Sequence, residues 1–223
     1  MAESFERPSK EWNGVPGTRQ ELNDLRRELA AGVERAHWGG YFCTREGNPR
    51  QVNLAYRDRG SWSTLLHEAV RLNAPLEFVR ELVRLGAFRT VKDSQGFRPV
   101  DLALKKGLVH LVEPLEPGPG QPVNANGLEH MQELFHGLIR STMLTYNVSE
   151  TLWLPQLSIL AEPGAESIWF PIPGMYGGFH FWLEATGGST ALIAESWCRV
   201  ADGSGMRHRI TPVQVVLEEE GFV

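Results

Sequence analysis

The sequence predicts an α+β protein: a short N-terminal array of helical repeats, then a C-terminal domain of one helix packed on an antiparallel β-sheet. Three observations predict it. One supersecondary unit is written twice between Gly60 and Leu115, placing Ala69 and Ala103 34 residues apart. A Pro/Gly-rich stretch from Glu113 to Pro122 follows. From Phe179 onward the apolar residues alternate with period two. Charge divides the chain at the same place. Residues 125–223 hold four arginines, no lysine and eleven carboxylates, a balance of −7 within a chain whose net charge is −5.

In chain order, residues 1–17 contain Pro8, Gly14, Pro16 and Gly17 and read as an irregular lead-in. Residues 18–35 read as a helix. Thr18 and Glu21 form a capping-box pair, and Leu22, Leu25, Leu29 and Val33 fall at helical spacing. Residues 36–60 break the period with Gly39-Gly40, Gly47-Asn48-Pro49 and Arg57-Asp58-Arg59-Gly60. The first copy of the doubled unit centres on Thr64-Leu65-Leu66-His67-Glu68-Ala69. A second helix follows, Val79 to Leu85, ending at Gly86. Asp93-Ser94-Gln95-Gly96 supplies a turn before the second copy, Arg98-Pro99-Val100-Asp101-Leu102-Ala103.

Residues 60–115 resemble the ankyrin-repeat family, and Leu29-Ala30-Ala31-Gly32-Val33 resembles the end of a further, degenerate repeat. The second copy departs from the pattern: Arg98 stands where Thr is usual, and Asp101 where His is usual. The resemblance implies an ankyrin-like helical domain over residues 18–116, with the insertion at about 36–60 on its loop-bearing face. It implies partner binding rather than chemistry. Trp62, Phe88 and Phe97 are the candidate partner-binding residues. Two or three repeats leave end faces that want cover, which the second domain would supply.

Residues 117–124 form the linker, and 125–223 the β-rich domain. Its first helix carries an apolar stripe of Leu128, Met131, Leu134, Phe135, Leu138, Ile139 and Met143. His130 and His136 do not share a face at ligand spacing and read as surface or boundary histidines. In the strands, Phe179, Phe181 and Leu183 oppose His180, Trp182 and Glu184. Likewise Leu192, Ala194, Ser196 and Cys198 oppose Ile193, Glu195, Trp197 and Arg199. Ala185 to Thr190 reads as a hairpin loop.

Two features of this half could carry chemistry. Tyr176 stands among three glycines and two prolines at a strand entrance, where a ligand or a backbone can approach closely. Arg199, Arg207 and Arg209 cluster in an otherwise acidic half. In one reading these arginines hold a small acidic ligand, Tyr176, Trp182 and Trp197 line its site, and His180, Glu184, Glu195 or His208 transfer a proton. In the other they form cross-strand ion pairs on a solvated face.

The leading functional expectation is a cytoplasmic protein-interaction module of adaptor, regulator or inhibitor type. Its partner is another protein, and an acidic surface of this kind suits a basic one. The alternative is a cofactor-free acid–base enzyme (hydrolase, isomerase or cyclase) or a small-ligand sensor built on the sheet. No cofactor or metal is expected: phosphate-loop, dinucleotide, Gly-x-Ser-x-Gly and His-Glu-x-x-His patterns are absent, and Cys43 and Cys198 stand far apart. The acidic balance argues against nucleic acid. The absence of a signal sequence or long apolar run leads to the expectation of a reducing, membrane-free setting.

Overall fold

The structure is a computed structural model and describes residues 10–30, 52–119, 124–148, 151–186, 188–198 and 205–222. It is mixed helix and sheet, an α+β protein. The chain forms two compact units. One is Asn13–Gly120; the other joins Met1–Trp12 to Gln121–Val223. The described chain opens with β1 (Lys10–Glu11), which belongs to the latter unit, and enters the former after Trp12.

The Asn13–Gly120 unit holds β2 (Asn13–Gly17), α1 (Arg19–Ala30), β3 (Leu54–Asp58) and β4 (Ser61–Thr64). It continues with α2 (Leu65–Arg71), α3 (Leu76–Arg84), α4 (Pro99–Lys105) and α5 (Val112–Leu115). At the start of α1 the Thr18 backbone N–H donates to Glu21 Oε2 at 2.6 Å, and the Glu21 N–H donates to Thr18 Oγ1 at 3.1 Å, a reciprocal cap. Residues 31–35 of the expected helix lie outside the described residues, as does the expected insertion up to residue 51.

The rest of the expected insertion is structured. β3 is the central strand of a three-stranded sheet, parallel to β2 and antiparallel to β4. Arg59 and Gly60 turn the hairpin with φ of 48° and 90°, the positive values that a tight hairpin turn needs. The expected irregular lead-in is likewise corrected at residues 10–17, where β1 and β2 form. Strands this short leave no periodic trace; their backbone groups are satisfied by β5 and β3, which lie far off in sequence.

Thr64 caps α2 through a buried network. The Thr64 N–H donates to His67 Nδ1 at 3.2 Å, so the ring proton sits on Nε2 and is donated to the Phe97 carbonyl at 3.0 Å. Burial pushes the His67 pKa down to about 4, which keeps the ring neutral in this role. In the second copy the Asp101 carboxylate does the capping. It accepts the Arg98 N–H at 2.9 Å and pairs with the Arg98 guanidinium, so Arg98 and Asp101 cap this helix together. α3 stops at Gly86, whose φ of 92° suits a helix terminator, and the Ala87 N–H bonds to the Leu82 carbonyl at 3.0 Å. Leu66, Ala69, Val70, Phe78, Val79, Leu82, Val100 and Ala103 fill one core between these helices.

The second unit is built on a six-stranded sheet of order β1-β5-β6-β7-β8-β9. Its strands are β5 (Ser167–Ile172), β6 (Gly177–Thr186), β7 (Ser189–Cys198), β8 (Gly205–Ile210) and β9 (Val215–Phe222), with β1 added parallel to β5 and every other pair antiparallel. The β6–β7 hairpin is tighter than the expected six-residue loop, since Thr186 already pairs with Ser189. α6 (Ala125–Thr145), capped by the Asn124 side chain, covers one face. Its Phe135 ring meets Phe179 and Phe181 at centroid distances of 5.6 and 5.0 Å. Of the expected stripe, Leu128, Met131, Phe135 and Ile139 are buried. Trp12 anchors the N-terminal strand: its indole N–H donates to the Trp153 carbonyl at 2.7 Å.

Candidate functional site

The face of the sheet opposite Phe179 and Phe181 gathers the charged and aromatic residues. Strand pairing places them in rows that run across the strands. One row spans all six: Glu11 beside Trp169, then His180, Glu195, Arg207 and Glu219. The next row is Ser167, Trp182, Ile193, Arg209 and Val216. Gly178 lies between Pro171 and Trp197 in the row on the other side. Because Gly178 carries no side chain, the indoles of Trp169 and Trp197 meet across β6, with centroids 5.3 Å apart. His180 lies against Trp182 at 5.0 Å, and the Arg207 guanidinium sits 5.5 Å from the centroid of the same indole.

A chain of ion pairs links the polar members. Arg207 Nη1 is 3.4 Å from Glu195, and Arg207 Nε is 3.5 Å from Glu218. Arg209 Nη2 pairs with Glu184 at 2.6 Å, and Arg209 Nε pairs with Glu218. Glu218 reaches both arginines because the pairing of β8 with β9 shifts between Arg207 and His208, a bulge that adds a residue to β9. The two arginines thus face Glu184, Glu195 and Glu218, with Glu219 paired beside Arg207.

His180 Nδ1 lies 3.9 Å from Glu195 Oε2, beyond direct hydrogen-bond reach. Burial raises the Glu195 carboxyl above its ordinary value; Arg207 pulls it down, and Glu219 pushes it up again. Burial also lowers the His180 imidazole. The two groups therefore move toward each other and toward their uncharged forms. Arg207→Ala is expected to raise the Glu195 pKa further, and Glu219→Gln to lower it, both measurable by carboxyl-carbon NMR titration. An Arg207→Ala protein whose Glu195 titrates lower would contradict this face as described.

The predicted residues are divided by this arrangement. His180, Trp182, Glu184, Glu195, Trp197, Arg207 and Arg209 share the face; Arg199 lies outside the described residues. His208 does not join them. It pairs with Ala194 and Leu217 on the helix-covered face, is 8% exposed, and its Nδ1 has no hydrogen-bond partner among the described residues. Alternation along β8 forces this, since neighbours of Arg207 and Arg209 must point the other way. Tyr176 sits in the β5–β6 turn with φ of 53°, 72% exposed and outside the rows.

In the other unit Phe88 is 1% exposed and cannot serve as a surface contact. The Asn53 side chain bonds the Gly86 carbonyl and the Phe88 N–H, which turns the Phe88 ring inward. Phe97 is half-buried, with Lys105 Nζ 4.4 Å over its ring. Trp62 remains half-exposed on β4, with Arg57 stacked at 5.5 Å. His136 is tied to the Pro155 carbonyl at 2.8 Å, a structural role.

Sequence reasoning missed Trp169, Glu218, Glu219 and Glu11 as members of the face. Trp169 was legible, since it alternates with Ile168 and Phe170; Glu11 has no local signal. Among the described residues no group of three or more His, Cys, Asp or Glu is placed to hold a metal ion. No described helix is long and apolar enough to cross a membrane. No protein-family model matches the chain, and neither a curated protein nor a solved structure with detectable similarity was found.

Proposed function

We propose that this chain is a protein-interaction module whose partner is another protein, of the adaptor, regulator or inhibitor kind. One observation carries the reading: Arg209 is hydrogen-bonded to Glu184 and Glu218, and Arg207 stands within ion-pair range of Glu195 and Glu218. The arrangement disfavours the acidic small ligand expected from the sequence, because an added anion would have to displace carboxylates from Arg209 and would meet Glu195 and Glu218 beside Arg207. What is left is a half-buried face that sets Trp169, Trp182 and Trp197 beside Arg207, and tryptophan and arginine are residue types enriched where proteins recognise each other. The ankyrin-like reading of the Asn13–Gly120 unit belongs to the same proposal. It is supported by the capping boxes that open α2 and α4 and by the β3–β4 hairpin, which carries Arg57, Arg59 and half-exposed Trp62.

The experiment is quantitative affinity capture from the native source with the wild-type chain, Trp62→Ala and Glu195→Ala. Loss of one and the same partner with either substitution, the fold being intact by circular dichroism, supports the module. A partner set unchanged by both substitutions would overturn it.

A second reading, an acid–base enzyme or ligand sensor, is favoured by the placement of His180 and Glu195 at 3.9 Å between indole rings. It requires a ligand that bridges the two groups. A small molecule whose binding shifts both titrations, and is lost in His180→Ala, would select it.

A further inference from the structure

β9 is the last strand of the six-stranded sheet, and its outer edge pairs with no described strand. It is eight residues long, whereas β1 at the opposite edge has two. Residues 213–221 are all exposed, and they include Val213 at 85% and Leu217 at 48%, with Val215 and Val216 between. An edge of this length, with free backbone groups and adjoining apolar side chains, is a template for another strand.

We propose that β9 receives an extended segment of a partner protein as a seventh strand, and that this segment joins a short apolar run to two basic residues. Charge selects that occupant. Along the long row the signs run Glu195, Arg207, Glu219, so the next position outward calls for a cation. Glu220, in the row of Ser196 and Met206, calls for a second. Glu218 is taken by Arg207 and Arg209 and is not offered to a partner. Opposite Val215, Val216 and Leu217 the segment needs apolar or β-branched residues, continuing the rows of Ile210, Arg209 and His208.

A second copy of this chain fits worse. Antiparallel self-pairing of β9 sets the two acidic runs against each other or sets each against the other copy's valines. In antiparallel addition the partner segment therefore reads, from its N-terminus, basic, basic, spacer, then three apolar residues.

The inference rests on the interaction-module reading but is tested apart from it, on the full-length protein and with peptides. The probe is a fluorescein-labelled peptide containing Lys-Arg-Thr-Val-Ile-Val. Its controls are the same peptide N-methylated at alternate residues and one with Glu-Glu in place of Lys-Arg. Binding is followed by anisotropy up to millimolar peptide, and by chemical-shift changes at the β9 amides. The expected result is binding of the basic peptide only, and about tenfold weaker binding by the Glu219→Lys/Glu220→Lys protein, which now prefers the acidic peptide. Equal binding of the N-methylated peptide, no binding at millimolar concentration, shifts away from β9, or self-association through β9 would each overturn it. A partner still captured by the Glu219→Lys/Glu220→Lys protein would sink the edge proposal and leave the module reading standing.

Discussion

Replacing Gly177 with alanine is expected to disrupt the sheet of the second unit. A Cβ at this position would fall 1.9 Å from the Trp197 carbonyl oxygen and 3.1 Å from the Cys198 Cα. Both obstacles are backbone, held by the pairing of Gly177 with Cys198, so no side-chain rotation relieves the overlap. β6 would have to separate from β7 where the two run together for ten residue pairs. The expected cost is about 3 kcal/mol, at the severe end for overpacking. Denaturant titration followed by tryptophan fluorescence checks this, because Trp12, Trp153, Trp169, Trp182 and Trp197 all report on this unit. An unchanged midpoint would mean that the two strands do not approach as described. Gly178 is constrained in the same way from the other side, its Cβ position lying 2.2 Å from the Phe170 carbonyl oxygen.

Glu68→Gln is expected to cost about 3 kcal/mol, as removal of one partner from a buried ion cluster does. Glu68 is 1% exposed. Its carboxylate accepts from Arg26 Nε at 2.8 Å, from the Ser63 hydroxyl at 2.8 Å, and from Arg71. Arg71 continues to Asp93 at 2.6 Å, and Arg26 to Asp58 at 2.9 Å. An amide keeps the volume but meets two guanidiniums with its own N–H donors. Burial pushes the Glu68 carboxyl upward, but the hydrogen bonds from Arg26 and Ser63 and the charge of Arg71 outweigh it and hold the group below its ordinary value of 4.5. A depressed folded value gives stability that is present above pH 4.5 and lost as pH falls through the folded pKa.

His67 adds to the acid sensitivity. With the folded value near 4 against an ordinary 6.5, the unfolded chain binds the extra proton in between, and stability falls as pH drops through that window. The wild-type denaturation midpoint should therefore decline from pH 6.5 downward and steepen below 4.5. Glu68→Gln should flatten the steep part, leaving the share of Asp58 and Asp101, and keep the shallow one. A Glu68→Gln profile parallel to the wild type would show that the cluster contributes nothing through charge.

Much of the helical unit and the sheet could be read before the structure because their signals are local. The Thr64 cap, the Gly86 stop and the alternation from Phe179 to Glu184 each concern residues within a few positions of one another. The failures concern partners far apart in sequence. Lys10 and Glu11 become a strand only because β5 offers an edge more than 150 positions later. Phe88 turns inward because Asn53, 35 positions earlier, bonds its backbone. Leu54 to Asp58 sits among turn signals and is a central strand because β2 and β4 flank it. His208 is a different kind of miss. Period two alone places it on the face opposite Arg207 and Arg209, although it lies between them in sequence. At the site, both charged members of β8 were legible; what they would pair with was not, because the bulge that delivers Glu218 to both arginines leaves no mark in the sequence.

The division of the chain bears on how the molecule is made. The sheet of the second unit takes its first strand from Lys10–Glu11 and all the others from beyond residue 166, with the whole of Asn13–Gly120 threaded between. During synthesis the whole of Asn13–Gly120 has left the ribosome while β1 still waits for β5. That long wait is the high-contact-order step, and it makes closure of the β1 edge late and slow. A C-terminal fragment cut at the proline-rich stretch would begin near Gln121 and lack both β1 and the indole bonded to Trp153. Dissection of this protein into halves would therefore leave the C-terminal piece with an open seam.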